Sequence, residues 1–123
     1  MAIRVLIVDD LAFMRDAIRS TLVEHGYEVV AEADNGKTGV KRYIALRPDV
    51  VILDITMPVM NGLTALRAIR RRDPNAVVIM CSAMGQQEYL IKAIHLGARD
   101  FIVKPFRPER ILSAVSKAMR TYG

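Results

Sequence analysis

Three carboxylates, one hydroxyl and one ammonium stand at the ends of short apolar runs of the sequence. These residues are Asp9, Asp10, Asp54, Ser82 and Lys104. A single lysine cannot balance three acids, whereas a divalent cation held by carboxylate oxygens and water can, which favours Mg²⁺ or Mn²⁺ over zinc. A metal, a lysine point charge and a hydroxyl donor together satisfy the oxygens of a phosphoryl group. The set predicts nucleophilic attack by Asp54 on phosphorus, giving an aspartyl phosphate.

Each of these residues also has an ordinary structural interpretation. Asp10 could cap the helix that follows it, Ser82 could be a turn or cap residue, and Lys104 could be a solvated side chain. Asp54 is harder to explain in this way, because it ends the apolar run over residues 50–53. A carboxylate in such a place is costly unless it is paired or bound to a metal.

Five apolar runs rich in β-branched residues predict five strands, and the segments between them have helical periodicity. The predicted strands cover residues 3–8, 28–33, 50–53, 76–81 and 101–103. Asn35-Gly36 and Arg107-Pro108 mark helix starts. Alternation of apolar strands with helices is typical of the α/β class, with a doubly wound parallel sheet covered on both faces. The carboxyl ends of such strands share one edge of the sheet, where ligands bind.

Length, composition and charge exclude several classes of protein. The 123 residues, with 52% hydrophobic and 25% charged side chains, predict one globular domain over residues 1–123. No segment resembles a signal peptide or a spanning helix, and the lone Cys81 in an apolar run predicts a buried thiol in a reducing compartment, the cytoplasm. The net charge is +5, but its basic residues are scattered apart from the cluster at residues 70–72, which is expected at a helix C-terminus. Neither nucleic acid nor a membrane is an expected partner.

Four motifs resemble the response-regulator receiver domain of two-component signalling. They are VLIVDD at residues 5–10, ILDITMP at residues 52–58 with Asn61-Gly62, CSA at residues 81–83 and VKPF at residues 103–106. The resemblance covers the whole chain and is strongest to stand-alone chemotaxis members, through residues 11–15 and 82–87. It implies a flavodoxin-like (βα)5 sheet with strand order 2-1-3-4-5, and a cis peptide bond between Lys104 and Pro105.

The resemblance also implies a role for each residue at the sheet edge. Asp54 matches the phosphoacceptor, and Asp9 and Asp10 match the metal-binding acids. The backbone carbonyl of Thr56 would complete the protein ligands of a Mg²⁺ ion, for which Mn²⁺ could substitute. Lys104 matches the lysine that contacts the phosphoryl group.

Further residues match family positions that respond to phosphorylation or affect the rate of dephosphorylation. Ser82 matches the switch hydroxyl. Phe101 occupies the switch-aromatic position, where chemotaxis relatives often carry tyrosine, so that its ring can report its state only through packing. Thr56 and Met84 lie two positions after Asp54 and Ser82, where side chains orient or exclude the hydrolytic water. The thioether of Met84 predicts slow self-dephosphorylation.

The helix expected near residues 86–96 carries more apolar side chains than one buried face requires. Tyr89, Ala93 and Leu96 suffice to pack it on the sheet. The additional apolar residues predict a partner-binding face, although a broad core face is the alternative. The predicted partner-binding residues are Gln87, Leu90, Ile91, Ile94, Ala98, Phe101 and Val103.

The leading hypothesis is a phosphorylation switch rather than an enzyme that turns over a substrate. A histidine kinase of the chemotaxis type would phosphorylate Asp54, and because no output domain follows Gly123, a monomeric protein would signal to a partner such as a flagellar motor switch component. A phosphorelay intermediate, a phosphate sink and a regulator of a non-motile output remain alternatives, and a partner phosphatase is left open. Thr56 stands where a haloacid-dehalogenase phosphatase carries its second acid. The acids after the first strand also replace the glycine-rich loop that nucleotide binding needs.

Overall fold

Strands and helices alternate along the chain in a computed structural model that describes residues 2–83 and 86–122. The elements are β1 (Arg4–Val8), α1 (Ala12–Glu24), β2 (Glu28–Ala33), α2 (Gly36–Leu46), β3 (Val50–Asp54), α3 (Gly62–Arg72), β4 (Val78–Ala83), α4 (Gln87–His95), β5 (Asp100–Lys104) and α5 (Pro108–Tyr122). The strands form one sheet in the order β2-β1-β3-β4-β5, and each neighbouring pair is parallel. The predicted doubly wound, flavodoxin-like α/β fold is confirmed.

Local sequence signals explain where several helices begin. Asn35 precedes α2 and accepts a hydrogen bond of 2.9 Å from the Thr38 backbone N–H, and Asn61 precedes α3 and accepts one of 3.0 Å from Thr64. Such side-chain caps satisfy amide groups that have no partner within the helix. Pro108 opens α5, where its missing N–H costs nothing.

Alternating side chains on the strands divide the core into two layers. Leu6 and Val8 of β1 pack with α2, α3 and α4, whereas Val5 and Ile7 of the same strand pack with α1 and α5. Burial of each such side chain contributes about 1.5–3 kcal/mol, so the two layers fix the strand positions firmly. The carboxyl ends of the strands are therefore held on a rigid platform.

The ends of three strands differ from the predicted ones. β3 includes Asp54, β4 runs two residues further than expected and includes Ser82, and β5 includes Lys104. Asp54 is paired with Cys81, and Ser82 with Val103, in the parallel ladder. An apolar pattern cannot detect a polar residue that ends a strand, because its backbone pairs like any other. The backbone of these polar residues is consequently held in place by the sheet and not by a loop.

Two other expectations concern burial and membranes. Cys81 is buried as predicted, and burial raises the pKa of its thiol to about 12. Among the described residues, no helix has the length and apolarity needed to cross a bilayer.

Candidate functional site

The structure brings Asp9, Asp10 and Asp54 together at the carboxyl edge of the sheet. Asp9 and Asp10 follow β1, and Asp54 ends β3, the neighbour of β1 in the sheet. One carboxylate oxygen from each residue lies within 4.8 Å of the others. Asp9 is 2% exposed and Asp54 6%, whereas Asp10 is exposed to solvent. The adjacency of β1 and β3 is what makes three acids from distant segments neighbours.

Lys104 reaches the same cluster from the far side of the sheet. Its Nζ lies 2.7 Å from Asp9 Oδ2 and 3.2 Å from Asp54 Oδ1. The lysine ends β5, and its side chain spans β4 to reach β3 and β1. The Lys104-Pro105 peptide bond is cis, as the resemblance implies.

The electrostatics of the cluster favour a further cation. Burial, reinforced by the charge of Asp9, raises the pKa of Asp54 to about 6, despite the opposing charge of Lys104. For Lys104, burial alone would lower the pKa, but the hydrogen bond to Asp9 and the charge of Asp54 outweigh it and the pKa is raised. Three carboxylates beside one ammonium leave an excess of negative charge when all are ionised. An oxygen-only donor set with that excess fits Mg²⁺.

The turn after β1 is organised by Asp9 and not by Asp10. Asp9 Oδ1 accepts a hydrogen bond of 2.9 Å from the Leu11 backbone N–H. Leu11 is the residue that precedes α1, and no side chain caps that helix. The alternative in which Asp10 is the helix cap is therefore wrong. One oxygen of the exposed Asp10 carboxylate nevertheless lies within 4.8 Å of oxygens of Asp9 and Asp54.

Arg15 contacts the backbone of this turn, a contact that no pattern in the sequence predicts. Its Nη1 donates a hydrogen bond of 2.7 Å to the Asp9 carbonyl, and its Nε lies 3.4 Å from Glu32 Oε1 on β2. Glu32 is also paired with Arg19. Basic residues scattered along the chain carry no positional signal. No local pattern in the sequence therefore marks Arg15 as a partner of this turn.

Ser82 is buried, and its hydroxyl is hydrogen-bonded to Gln86, a neighbour that no motif in the sequence indicates. It donates to Gln86 Oε1, while Gln86 Nε2 donates a hydrogen bond of 3.3 Å to Thr56 Oγ1. Thr56 is exposed in the loop after β3. Gln86 comes four residues after Ser82, but β4 ends at Ala83 and α4 begins at Gln87, so the two residues do not belong to a common helix or strand. Met84, predicted to affect hydrolysis, lies outside the described residues.

Half of the apolar residues of the predicted partner face are exposed to solvent. Ile91 is 61% exposed, Ile94 59% and Val103 48%, so the alternative in which they form a broad core face is wrong. Leu90 and Ala98 are half-buried. We refer to the exposed residues Ile91 and Ile94 of α4 and Val103 of β5 as the apolar patch.

The opposite side of α4 packs on the sheet as expected. Ala93 is fully buried, and Tyr89 and Leu96 are half-buried against the same core layer. Phe101 of β5 is also half-buried against this layer. Gln87 is the first residue of α4. Phe101 therefore packs on the same core layer as the buried side of α4.

The sequence is similar to known receiver domains. A family model described as "Response regulator receiver domain" matches residues 5–116. The chain is 56% identical over 119 residues to the chemotaxis protein CheY of Bacillus subtilis, covering 97% of this chain and 99% of that protein. It is 53% identical to the chemotaxis protein CheY of Thermotoga maritima, covering 98% and 100%.

Solved structures agree with the sequence relatives. The CheX–CheY–BeF3–Mg²⁺ complex from Borrelia burgdorferi contains a chain that superposes with a TM-score of 0.92 at 36% identity, covering 95% of this chain and 89% of that one. The REC domain of AraT from Geobacillus stearothermophilus gives a TM-score of 0.90 at 35% identity, covering 99% and 96%. Sequence and fold comparisons thus lead to the same family.

Proposed function

The chain belongs to the response regulator receiver domain family and is closely related to CheY chemotaxis proteins, and from this premise we propose that Asp54 accepts a phosphoryl group from a histidine kinase. One observation carries the proposal. Oxygens of three carboxylates lie within 4.8 Å of one another, and the Lys104 ammonium donates hydrogen bonds to two of these carboxylates, those of Asp9 and Asp54. In this proposal residues 1–123 act as a single receiver unit in which phosphorylation is the signal.

Asp54 is the nucleophile of the proposed transfer. Its carboxylate oxygen attacks phosphorus, the new O–P bond forms as the P–N bond to the donor imidazole breaks, and the imidazole nitrogen takes up a proton. The reaction needs Asp54 ionised, and its pKa of about 6 leaves it mostly so at neutral pH. Lys104, already 3.2 Å from Asp54, donates to an oxygen of the phosphoryl group.

Asp9, Asp10, Asp54 and the Thr56 carbonyl would hold the metal. A bound Mg²⁺ would neutralise charge on the phosphoryl oxygens, and Mn²⁺ would substitute because it accepts the same oxygen ligands. Without a cation, the like charges of Asp9 and Asp54 oppose the arrival of further negative charge. Two unit charges about 4 Å apart repel by about 4 kcal/mol at an effective dielectric constant near 20.

In this proposal the output partner binds the apolar patch on α4 and β5, and phosphorylation changes that surface. Ser82 turns its hydroxyl to the phosphoryl oxygens, Phe101 repacks, and the surface around Ile94 and Val103 shifts toward its active population. A covalent group that favours the active state by a few kcal/mol makes a minor state dominant. The proposed partners are a chemotaxis-type kinase and a flagellar motor switch component, with a phosphatase that removes the group. The proposal places a monomer in the cytoplasm, acting without nucleic acid or membrane.

Water ends the signal: its oxygen attacks phosphorus, the O–P bond to Asp54 breaks, and inorganic phosphate leaves while the Asp54 carboxylate is regenerated. The chain thus promotes both its phosphorylation from small donors and its own dephosphorylation, without being an enzyme for an external substrate. Thr56, exposed beside the site, and Met84 would set the rate of this reaction. A thioether offers no useful hydrogen bond to the attacking water, so the phosphorylated state is expected to be long-lived.

Intact-mass spectrometry after incubation with acetyl phosphate tests the proposal. The wild-type chain should gain one phosphoryl group with Mg²⁺ or Mn²⁺, and none in EDTA. Asp54→Asn should abolish the labelling. Asp34→Asn is the matched control, because Asp34 is an exposed acid after β2 that lies outside the cluster. Undiminished labelling of Asp54→Asn, or labelling in EDTA, would overturn the assignment.

A further inference from the structure

The side chain of Gln86 connects the end of β4 to the loop after β3. Its Oε1 accepts the hydrogen bond of the Ser82 hydroxyl, and its Nε2 donates one of 3.3 Å to Thr56 Oγ1. Ser82 is 1% exposed, whereas Thr56 is exposed and lies two residues after Asp54. A single carboxamide therefore contacts one hydroxyl group at the end of β4 and another in the loop after β3, on either side of the proposed phosphoacceptor.

Gln86 contributes its backbone carbonyl, but not its side chain, to the start of the helix that it precedes. Its side chain forms no cap hydrogen bond with α4, which begins at Gln87. Asn, Asp, Ser and Thr are the side chains that cap helices well, and glutamine is not one of them. The two hydroxyls of Ser82 and Thr56 are the partners that the structure gives to this carboxamide.

The Ser82 hydroxyl cannot serve two acceptors fully at the same time. It has one proton, which is directed to Gln86, and its other acceptor, the Ala83 carbonyl, is 3.3 Å away. A phosphoryl oxygen on Asp54 would need that same proton. We infer that Gln86 is a positioning residue that holds the Ser82 hydroxyl in the unphosphorylated protein. Gln86 must release this hydroxyl when Asp54 is phosphorylated, and the inference in this respect rests on the proposed function.

The size of the effect follows from the strength of one hydrogen bond. A typical intramolecular hydrogen bond changes an equilibrium by about two- to tenfold after exchange with water. Gln86 is half-buried, so its released carboxamide can bind water and the cost stays within that range. Gln86 thus biases the protein toward the resting state, and removal of its side chain should strengthen the binding of a phosphoryl mimic. A side chain that merely supports the site would have the opposite effect.

Titration calorimetry with beryllofluoride and Mg²⁺ tests the inference, since beryllofluoride mimics a phosphoryl group on a carboxylate. Gln86→Ala and Gln86→Leu should each bind beryllofluoride about two- to tenfold more tightly than wild type. Thr56→Val, which removes the second partner of Gln86, should shift affinity in the same direction by less. Glu88→Gln, an exposed substitution in the first turn of α4, is the control and should bind as wild type. Thermal unfolding verifies that each variant is folded.

A double-mutant cycle separates retention of the hydroxyl from a general effect on the loop. In a Ser82→Ala background there is no hydroxyl to release, so Gln86→Ala should leave beryllofluoride affinity unchanged. Equal gains in both backgrounds, or folded Gln86 variants that bind no more tightly than wild type, would overturn the inference alone. If wild-type binding does not depend on Mg²⁺ and Asp54, the proposed function fails and this inference fails with it.

Discussion

The Lys104 ammonium lies 3.2 Å from Asp54 Oδ1, and yet the pKa of Asp54 is raised to about 6. Burial and the neighbouring carboxylate of Asp9 together outweigh the attraction of the lysine. Lys104 is shared, because its shorter contact, 2.7 Å, is with Asp9. The folded protein therefore maintains an unfavourable charge arrangement at the site, as binding and catalytic sites often do.

The first prediction is that Asp54 makes the metal-free protein less stable as pH rises. The folded state holds the Asp54 proton more tightly than the unfolded state, whose carboxyl has a pKa near 3.8, so stability falls between about pH 4 and pH 6. At pH 7.5 the loss is up to about 3 kcal/mol. Asp54→Asn, which carries no charge, should be more stable than wild type by up to that amount in EDTA, and the advantage should shrink below pH 4.

Urea unfolding followed by circular dichroism at pH 4 and pH 7.5 measures the difference between the two proteins. Comparison of variant with wild type at each pH removes the contribution of the other titrating groups. Asp34→Asn should show no such pH-dependent gain. If Asp54→Asn and wild type differ in stability by the same amount at both pH values, ionisation of Asp54 does not destabilise the folded protein and the prediction is wrong.

The second prediction concerns the contact between Gly62 and the end of β3. A Cβ at Gly62 would lie 2.0 Å from the Asp54 carbonyl oxygen and 2.7 Å from Ile55 Cα. Gly62→Ala must therefore push the start of α3 away from β3, which carries the proposed phosphoacceptor; this shift is expected to cost about 2–3 kcal/mol and to weaken the proposed Mg²⁺ binding. Gly26→Asn is the control: Gly26 has a positive φ but open space around it, and asparagine tolerates that backbone.

Chemical denaturation and Mg²⁺ titration calorimetry of both variants provide the measurements. Gly26→Asn should lose little stability and bind Mg²⁺ as wild type does. A folded Gly62→Ala protein with wild-type stability and metal affinity would show that α3 can shift without moving Asp54.

Much of the site could be predicted because topology alone brings strand ends together. β2 was predicted with its observed bounds, since its residues are framed by a turn on each side. β4 was placed two residues too early, because Ala76 and Val77 are as apolar as the strand itself. That shift does not move Ser82 away from the sheet edge. Periodicity and burial patterns therefore identify which edge carries the chemistry, even when they misplace a boundary.

The contacts of Gln86 and Arg15 could not be predicted in the same way. Gln86 reaches Ser82 only through the path of the loop between β4 and α4, which no periodic pattern encodes. Arg15 reaches the Asp9 carbonyl through the phase of α1, and that phase depends on a helix start without a side-chain cap. Loop path and helix phase are set by tertiary packing, so a single sequence contains no local signal for them.

The third prediction is that Arg15 positions the turn that carries Asp9 and Asp10, the proposed metal ligands. Its Nη1 holds the Asp9 carbonyl at 2.7 Å, and its Nε contacts Glu32. Arg15→Ala should weaken Mg²⁺ binding by about three- to tenfold through loss of one charge-assisted hydrogen bond. Arg15→Lys should restore part of the affinity. Arg19→Ala is the matched control, because Arg19 also pairs with Glu32 but makes no hydrogen bond to Asp9 among the contacts of the described residues.

Titration calorimetry with Mg²⁺, beside urea unfolding of each variant, distinguishes positioning from general stability. Equal Mg²⁺ affinities for Arg15→Ala and wild type would show that the acidic turn keeps its shape without the arginine. An equal loss for Arg19→Ala would instead assign the effect to Glu32.

The last prediction concerns the output surface. Ile94 is 59% exposed and its neighbour Ala93 is fully buried, so the two positions separate binding from folding. Ile94→Asp should change the free energy of unfolding by less than about 0.5 kcal/mol, whereas Ala93→Asp places an unpaired charge in the core and should cost at least about 3 kcal/mol. In the presence of Mg²⁺ and beryllofluoride, Ile94→Asp should lose at least about tenfold in affinity for a motor switch protein of the same organism, because a charge replaces an apolar contact. Leu90→Asp, at a half-buried position, should reduce both stability and affinity. A folded Ile94→Asp protein with full affinity would place the output surface elsewhere, and absence of wild-type binding would favour a non-motile output over the motor switch.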